Sequence, residues 1–453
     1  MRRLVLVLSM VCVLLAVGVQ AQAQLCADES FYDARSWTWS YKGPCSTQYN
    51  CLAYALGITN QWVWPWGYSN PTSSQVESYL EGEDYGTTGS PAKIISYGSS
   101  SAVVHFGRVT GSTTTAAKWG SMNLLDHGSW SPYYSNPNSY GGLVDIYYET
   151  AMIVSISGPT WGDNSGTYEW CGSVSGYATP PYTYDWRYSY DGSSYTSYFG
   201  NTQCRTAQLP LDRDLYLKLT VTDSVGKQAV DYHVTFNSDA ACAKSKAAQG
   251  SELLAGIQTG LDELAAKAQS SSPFAPALLS SSNPYAYTSL PAYQKIVAQG
   301  VSALPDIRAA IKLSDHNGLG EYLLAIAAGE IAGNDLKQND GGWATAKEWE
   351  RSWGSYLQAM PKTVDEIVHS GRSEQDRVAA LVELGAPAIP FILDAVEAGA
   401  FELLPAVEQL IDRLGLGGRP APDAIGPARK VAIDPETIKI LRSLVTQKVI
   451  PPC

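Results

Sequence analysis

The sequence is poor in charge and in the residues that usually announce a known chemistry. Only 16% of its 453 residues are Asp, Glu, Lys or Arg, and it holds five histidines, five methionines and seven phenylalanines against 28 tyrosines. It has no HExxH pair, no glycine-rich loop closing on Lys and Ser or Thr, and no GxSxG elbow, so the motif-borne forms of zinc, nucleotide and serine-hydrolase chemistry are excluded. His233, His316 and His369 have no metal-ligand spacing. The oxygen-rich stretch NDLKQNDGG at 334–342 lacks the EF-hand pattern and reads as a polar loop. No metal or other cofactor is therefore expected. Basic surplus is also missing: the net charge is −12, which repels phosphate backbones and argues against nucleic acid as a partner.

Long apolar runs are absent except at the start. Arg2 and Arg3 precede LVLVLSMVCVLLAVGV and then Ala21-Gln22-Ala23, the order of a secretory leader cut after Ala23. Its loss takes the charge from −12 to −14 and leaves no segment able to span a membrane, so a secreted protein, extracellular or periplasmic, is expected. The leader also removes Cys12. Seven cysteines remain, an odd number in an oxidising compartment, where cysteines generally pair. Pairing by neighbourhood joins Cys26 to Cys45, Cys171 to Cys204 and Cys242 to Cys453, and leaves Cys51 over; other connectivities remain open.

Three compositional zones follow the leader (1–23). Residues 24–150 combine one good helix, NCLAYALGI, with short alternating runs separated by Gly and Ser turns, an α+β pattern. Residues 151–238 read as pure β. Cys171, Trp186 and Cys204 follow the Cys, Trp, Cys order of an immunoglobulin-like sandwich, which this zone resembles. Tyr216 sits where that family has its tyrosine corner, but Lys218 stands where its second cysteine belongs, so a Cys171–Cys204 bridge is expected in an unusual place. Residues 239–453 are alanine-rich and helical. There QKIVAQGVSALPDIRAAI is echoed by VAALVELGAPAIPFILDAV, with Gly300 and Pro305 matching Gly385 and Pro390. The zone is similar to HEAT-type helical hairpins, a class that offers binding surfaces. Trp343, Trp349 and Trp353 fall at near-helical spacing and read as core.

The leftover thiol directs the functional reading. Asn50 before CLAYALG places Cys51 at a helix N-terminus, where unpaired backbone N–H groups favour a thiolate. A nucleophilic cysteine also needs an imidazole. His105, in the alternating run AVVHFGRV, is the expected base, with His127 as the group that orients it and Asp126 as the second choice. The Cys51 N–H and the Gln48 side chain are candidate oxyanion donors. Lys118-Trp119 and the tryptophans around Pro65 (Trp62, Trp64 and Trp66) are either cleft walls or packing.

The elements NCLAYALG, WVWPW, VVHFG, KWG and LLDH, within residues 45–148, resemble papain-like bacterial cell-wall peptidases and amidases of the NlpC and CHAP groups. The resemblance implies an exported cysteine hydrolase that cleaves an amide bond through a thioester, acting on a peptide, a protein or peptidoglycan, with a protein partner on the helical zone. It departs where the CHAP group carries an acidic residue and an asparagine, since Lys118 and Gly120 stand there and a lysine cannot accept an imidazole N–H bond. The rival expectation is a secreted binding protein whose N-terminal unit has lost its chemistry.

Overall fold

The computed structural model describes residues 25–33, 39–89, 91–112, 114–127, 141–149, 152–159, 161–163, 165–176, 178–190, 194–210, 214–237, 241–269, 274–314, 316–338, 342–416 and 433–446. The leader and Cys453 lie outside these residues, as does the side chain of Cys242, so the expected Cys242–Cys453 bridge is outside what is described. An N-terminal β-rich part is followed by a C-terminal helical part.

The N-terminal unit begins with a short helix α1 (Glu29–Asp33) and strand β1 (Ser40–Gly43). Two helices follow, α2 (Cys51–Ala55) and α3 (Ser73–Gly82). The remaining strands are β2 (Tyr85–Gly86), β3 (Ala92–Ser99), β4 (Ala102–Val109), β5 (Thr115–Lys118), β6 (Leu124–His127) and β7 (Gly142–Glu149). They form one seven-stranded antiparallel sheet in the order β1-β6-β5-β4-β3-β7-β2. Local chemistry explains the helix starts. Asn50 Oδ1 accepts the Ala53 N–H at 3.0 Å and caps α2, and Thr72 with Gln75 forms a reciprocal capping box on α3. A disulfide joins Cys26 to Cys45, and Cys51 is free.

The second β region packs a three-stranded sheet, β13-β10-β8, with a five-stranded sheet, β12-β11-β14-β15-β9. Its strands are β8 (Met152–Ser157), β9 (Trp161–Gly162), β10 (Thr167–Gly176), β11 (Thr183–Ser189), β12 (Ser197–Gly200), β13 (Cys204–Gln208), β14 (Leu215–Thr222) and β15 (Gln228–Asn237). Strand β14 alternates strictly, burying Leu215, Leu217, Leu219 and Val221 against Trp170 and Trp186 in a core of their own. The Cys171–Cys204 bridge links directly opposed residues of β10 and β13, so it staples neighbouring strands of one sheet and does not join the two sheets.

The helical part comprises α4 (Ala241–Ala268), α5 (Phe274–Leu279), α6 (Pro291–Val297), α7 (Leu304–Leu313), α8 (Leu319–Ala332), α9 (Ala346–Val368), α10 (Glu374–Glu383), α11 (Ile389–Glu397), α12 (Leu404–Leu414) and α13 (Pro435–Thr446). The two sequence echoes fold alike. Gly300 (φ +61°) and Gly385 (φ +72°) each open a 3₁₀ turn, and Pro305 and Pro390 then sit in the first turn of α7 and α11. A third copy was not read from the sequence: the 3₁₀ turn Phe401–Leu403 leads into α12 with its proline in the same place.

The helical part does not stand apart from the N-terminal sheet. Both contribute to a single hydrophobic core, in which the Trp62 ring meets Tyr287 edge-on at 6.3 Å. Main-chain bonds stitch the seam: Leu319 N–H to Thr47 O (2.7 Å), Trp62 N–H to Asn317 O (2.8 Å), Trp64 N–H to Ala344 O (2.9 Å) and Ser121 N–H to Leu279 O (2.8 Å). Among the described residues no single helix is long and apolar enough to cross a membrane, although the bent pair α10 and α11 meets that length and apolarity jointly.

Candidate functional site

Cys51 opens α2 as expected, but its surroundings differ from those of a ready nucleophile. The residue has no exposed surface. Its thiol takes part in hydrogen bonds with Ser282 and with the main chain of Phe106 and Leu52, and the Lys118 charge acts on it, yet burial outweighs all of these and pushes the thiol up to about 11. Against the helix-start expectation of a thiolate, burial acts to keep the proton on the sulfur. The Cys51 N–H, the expected oxyanion donor, already points at Ser282 Oγ at 3.5 Å. Gln48 is half-buried, with its main-chain N–H on Ser46 Oγ.

Ser282 belongs to the segment after α5, which lies over the start of α2. Ser282 O accepts from Asn50 Nδ2 at 3.3 Å and from Trp62 Nε1 at 3.1 Å, while Leu279 O accepts from the N–H and the hydroxyl of Ser121. Gly120 (φ +53°) makes this approach possible, because a Cβ there would collide with the carbonyl oxygens of Leu279 and Ser281.

The Cys51 thiol meets the main chain of Phe106, the residue after His105, and the strand decides on which face the imidazole stands. Successive residues of a strand face opposite ways. Phe106 of β4 stacks on Trp66, and Arg108 of β4 reaches Gly57 just past α2, so the even-numbered face of β4 is the face that α2 covers. His105 therefore projects from the other face, where its directly opposed partner Tyr97 lies with ring centroids 6.2 Å apart. The groups that act on the Cys51 thiol are Ser282, the main chain of Phe106 and Leu52, and Lys118, whereas the field on His105 comes from His127. The His105 imidazole is fully buried, and desolvation followed by the field of His127 holds it well below the usual range.

His127 shares that face. Through β5 the register sets it opposite Thr115, and its ring stacks on Trp119 at 6.2 Å. The register thus sets His105 and His127 on one face of the sheet. Asp126, the alternative orienter, faces the other way and pairs with Lys42 at 2.7 Å near the surface. Lys118 is the side chain that does share a face with Cys51. It is buried, and its ammonium donates to Ser46 O (3.0 Å), Gly120 O (2.7 Å) and Met122 O (2.6 Å), 5.1 Å from the Tyr49 ring. Burial drives its pKa well below that of an ordinary lysine, against the pull of Cys51.

The tryptophans of WVWPW pack in the core, with Trp64 and Trp66 edge to face at 5.1 Å. Trp349 and Trp353 stack at 5.6 Å, also in the core. Among the described residues the group Glu169, Cys171 and Cys204 is arranged like metal ligands, but both sulfurs are spent in the bridge.

Residues 40–148 match the family described as Domain of unknown function (DUF7689). The match spans about a quarter of the chain and covers the sheet that carries His105 and the helix that carries Cys51. No curated protein matches the sequence.

A feature that the sequence reading missed lies on the seam. A cavity of about 560 Å³ is lined by Tyr68 of the N-terminal unit and otherwise by residues of the helical part. Tyr285 and Thr288 come from the 3₁₀ turn Pro284–Ser289 that follows the residues over Cys51, and Trp343, Glu330 and Asp335 from further along the helical part. These residues are scattered between positions 68 and 343 in a chain whose pattern marks them as loop or core, so no local signal gathers them.

Proposed function

We propose that the protein is an exported binding protein in which the N-terminal sheet unit, with its papain-like pattern, serves as scaffold and the seam cavity receives the ligand. The observation that carries this reading is the face of β4: His105 points away from the side that holds Cys51. The burial of the thiol, which raises its pKa, and the Cys51 N–H directed at Ser282 support it. The two disulfides support export into an oxidising space. On this reading the immunoglobulin-like and HEAT-like parts fix the position of the cavity, and no bond is cleaved.

The test is alkylation of the intact native protein with iodoacetamide followed by mapping. An inert Cys51, together with no turnover of peptide or peptidoglycan substrates, is expected. A single fast-reacting cysteine, mapped to Cys51 and silenced by His105→Ala, would overturn it in favour of the cysteine hydrolase.

One observation favours that second reading. Cys51 is spared from both bridges and stands at a capped helix start beside the Lys118 ammonium, so displacement of residues 279–283 would present a thiol whose ionisation a lysine promotes.

A further inference from the structure

The cavity mouth has a definite chemistry. Tyr68 is 76% exposed, the most exposed large apolar side chain among the described residues, and it meets Tyr285 edge to face with centroids 6.0 Å apart. Nothing in the packing requires so open an aromatic ring, and such a ring beside a cavity marks a contact surface. Tyr285 feels the charge of Asp335, and Tyr293 donates its hydroxyl to Glu330 Oε2 at 2.7 Å. Tyr68, Tyr285, Glu330 and Asp335 therefore share one cavity lining, where Asp335 Oδ1 also accepts the Lys337 main-chain N–H at 3.0 Å. Glu383 adds a third carboxylate to the lining, against one guanidinium, Arg413, whose Nη2 is tied to Gly333 O at 3.0 Å.

Behind Trp343 of that lining lies Lys337, whose pKa burial lowers to about 7. The Lys337 ammonium rests 4.1 Å from the Trp343 ring centroid and 5.3 Å from that of Tyr322, and it donates to Trp64 O, Tyr322 OH and Trp343 O. It is committed inside the wall and does not fill the mouth. A ring face attracts a cation through its quadrupole, and the attraction grows as water is excluded. Net negative charge with open tyrosine faces selects a cationic ligand; a neutral sugar would use the rings but gain nothing from the surplus carboxylates.

We propose that this mouth binds the ammonium of a lysine-type side chain presented by a peptide, the aliphatic stem lying on Tyr68 and Tyr285 and the charge held by Glu330 and Asp335. The proposal rests on the binding reading above. A cavity of about 560 Å³ accommodates two or three residues of such a peptide.

The test is calorimetric titration of the full-length protein with acetyl-Ala-Lys-amide, its glutamine counterpart, spermidine and chitotriose. The lysine peptide should bind at least about tenfold more tightly than the glutamine peptide. The double variant Glu330→Gln with Asp335→Asn should lose about tenfold or more, rising salt should weaken the complex, and Tyr68→Ala, at an exposed position that folding does not need, should weaken it severalfold. Equal affinity for the two peptides, or indifference to the carboxamide variant, overturns the proposal. Spermidine binding while the lysine peptide fails would retain the cation but refute the peptide. Chitotriose binding that depends on Tyr68 alone would refute the cation while leaving the binding reading intact. No binding by any probe overturns the proposal, whereas the binding reading itself is judged by the alkylation of Cys51.

Discussion

The main-chain N–H of Cys51 points at the Oγ of Ser282, 3.5 Å away and 231 positions further along the chain. A hydroxyl from the helical part thus occupies the place where an acyl-transfer site would hold an oxyanion. The contact makes the thiol a product of two chain regions: α2 supplies it, and the segment after α5 closes it.

That closure sets how the thiol responds to pH. Its folded pKa, about 11, lies above the ordinary value near 9. A raised pKa means that the folded state holds the proton more tightly, so the contribution to stability is complete below pH 9 and is lost as pH rises towards 11. By linkage the loss is about 2–3 kcal/mol at most. Denaturant titrations at pH 8 and pH 11, for the native chain and for Cys51→Ala, should show a larger drop in the native chain. Equal drops would mean that the thiol is not desolvated.

Lys118 makes the opposite kind of test, because its ammonium serves three carbonyls at once. Lys118→Met keeps the stem and the volume but leaves Ser46 O, Gly120 O and Met122 O without their donor. Unsatisfied buried acceptors cost roughly 1–3 kcal/mol each, partly recovered by relaxation, so a loss of about 3 kcal/mol is expected in urea unfolding. A neutral or stabilising outcome would show that the desolvation of the lysine outweighs its bonds.

The sequence made some of this readable and concealed the rest for identifiable reasons. The helix at Cys51 was readable because Asn50 is a strong cap before an apolar run, and the strands around His105 were readable from their alternation. The bridges Cys26–Cys45 and Cys171–Cys204 formed between the neighbours expected, with Cys51 left free. Alternation also implied that His105 and Phe106 face opposite ways, but it does not say which face a helix will cover. That side is decided by long-range packing of Trp66 on Phe106 and of Gly57 on Arg108. Nor does SSSNP at 280–284 announce that it seals a site 230 positions upstream, since such a stretch reads only as a loop.

Acid should loosen the helical part at one place first. Burial alone would raise the Glu350 carboxyl, but the charges of Lys312, Arg308 and Lys347 and the 2.9 Å bond from Arg308 Nε outweigh it and hold it below the usual range. A depressed carboxylate contributes stability that is present above its unfolded value near 4.5 and is lost as pH falls through the folded value. Glu350→Gln should therefore be less stable than the native chain at pH 7 by about 2–4 kcal/mol, with the gap closing below pH 4. Thermal melts across that range would show it, and a gap that stays constant with pH would refute the ion-pair account. The neighbouring Lys312 ties Asp214 of the second β region at 2.9 Å and so links that region to the helices.

Gly120 offers the sharpest way to separate closure from ordinary packing. An alanine there meets two penalties: the strained φ of +53°, which costs roughly 1–2 kcal/mol for any L side chain, and a collision with the Leu279 and Ser281 carbonyls. Gly226 has φ +88° and open space around its would-be Cβ, so Gly226→Ala carries the strain without the collision. Both variants should lose the strain energy, but only Gly120→Ala should push residues 279–282 off the start of α2. Alkylation of Cys51 under native conditions should then run at least about tenfold faster in Gly120→Ala than in Gly226→Ala at matched stability. If the two variants alkylate at the same rate, access to the thiol is governed by global unfolding and residues 279–282 are not its cover.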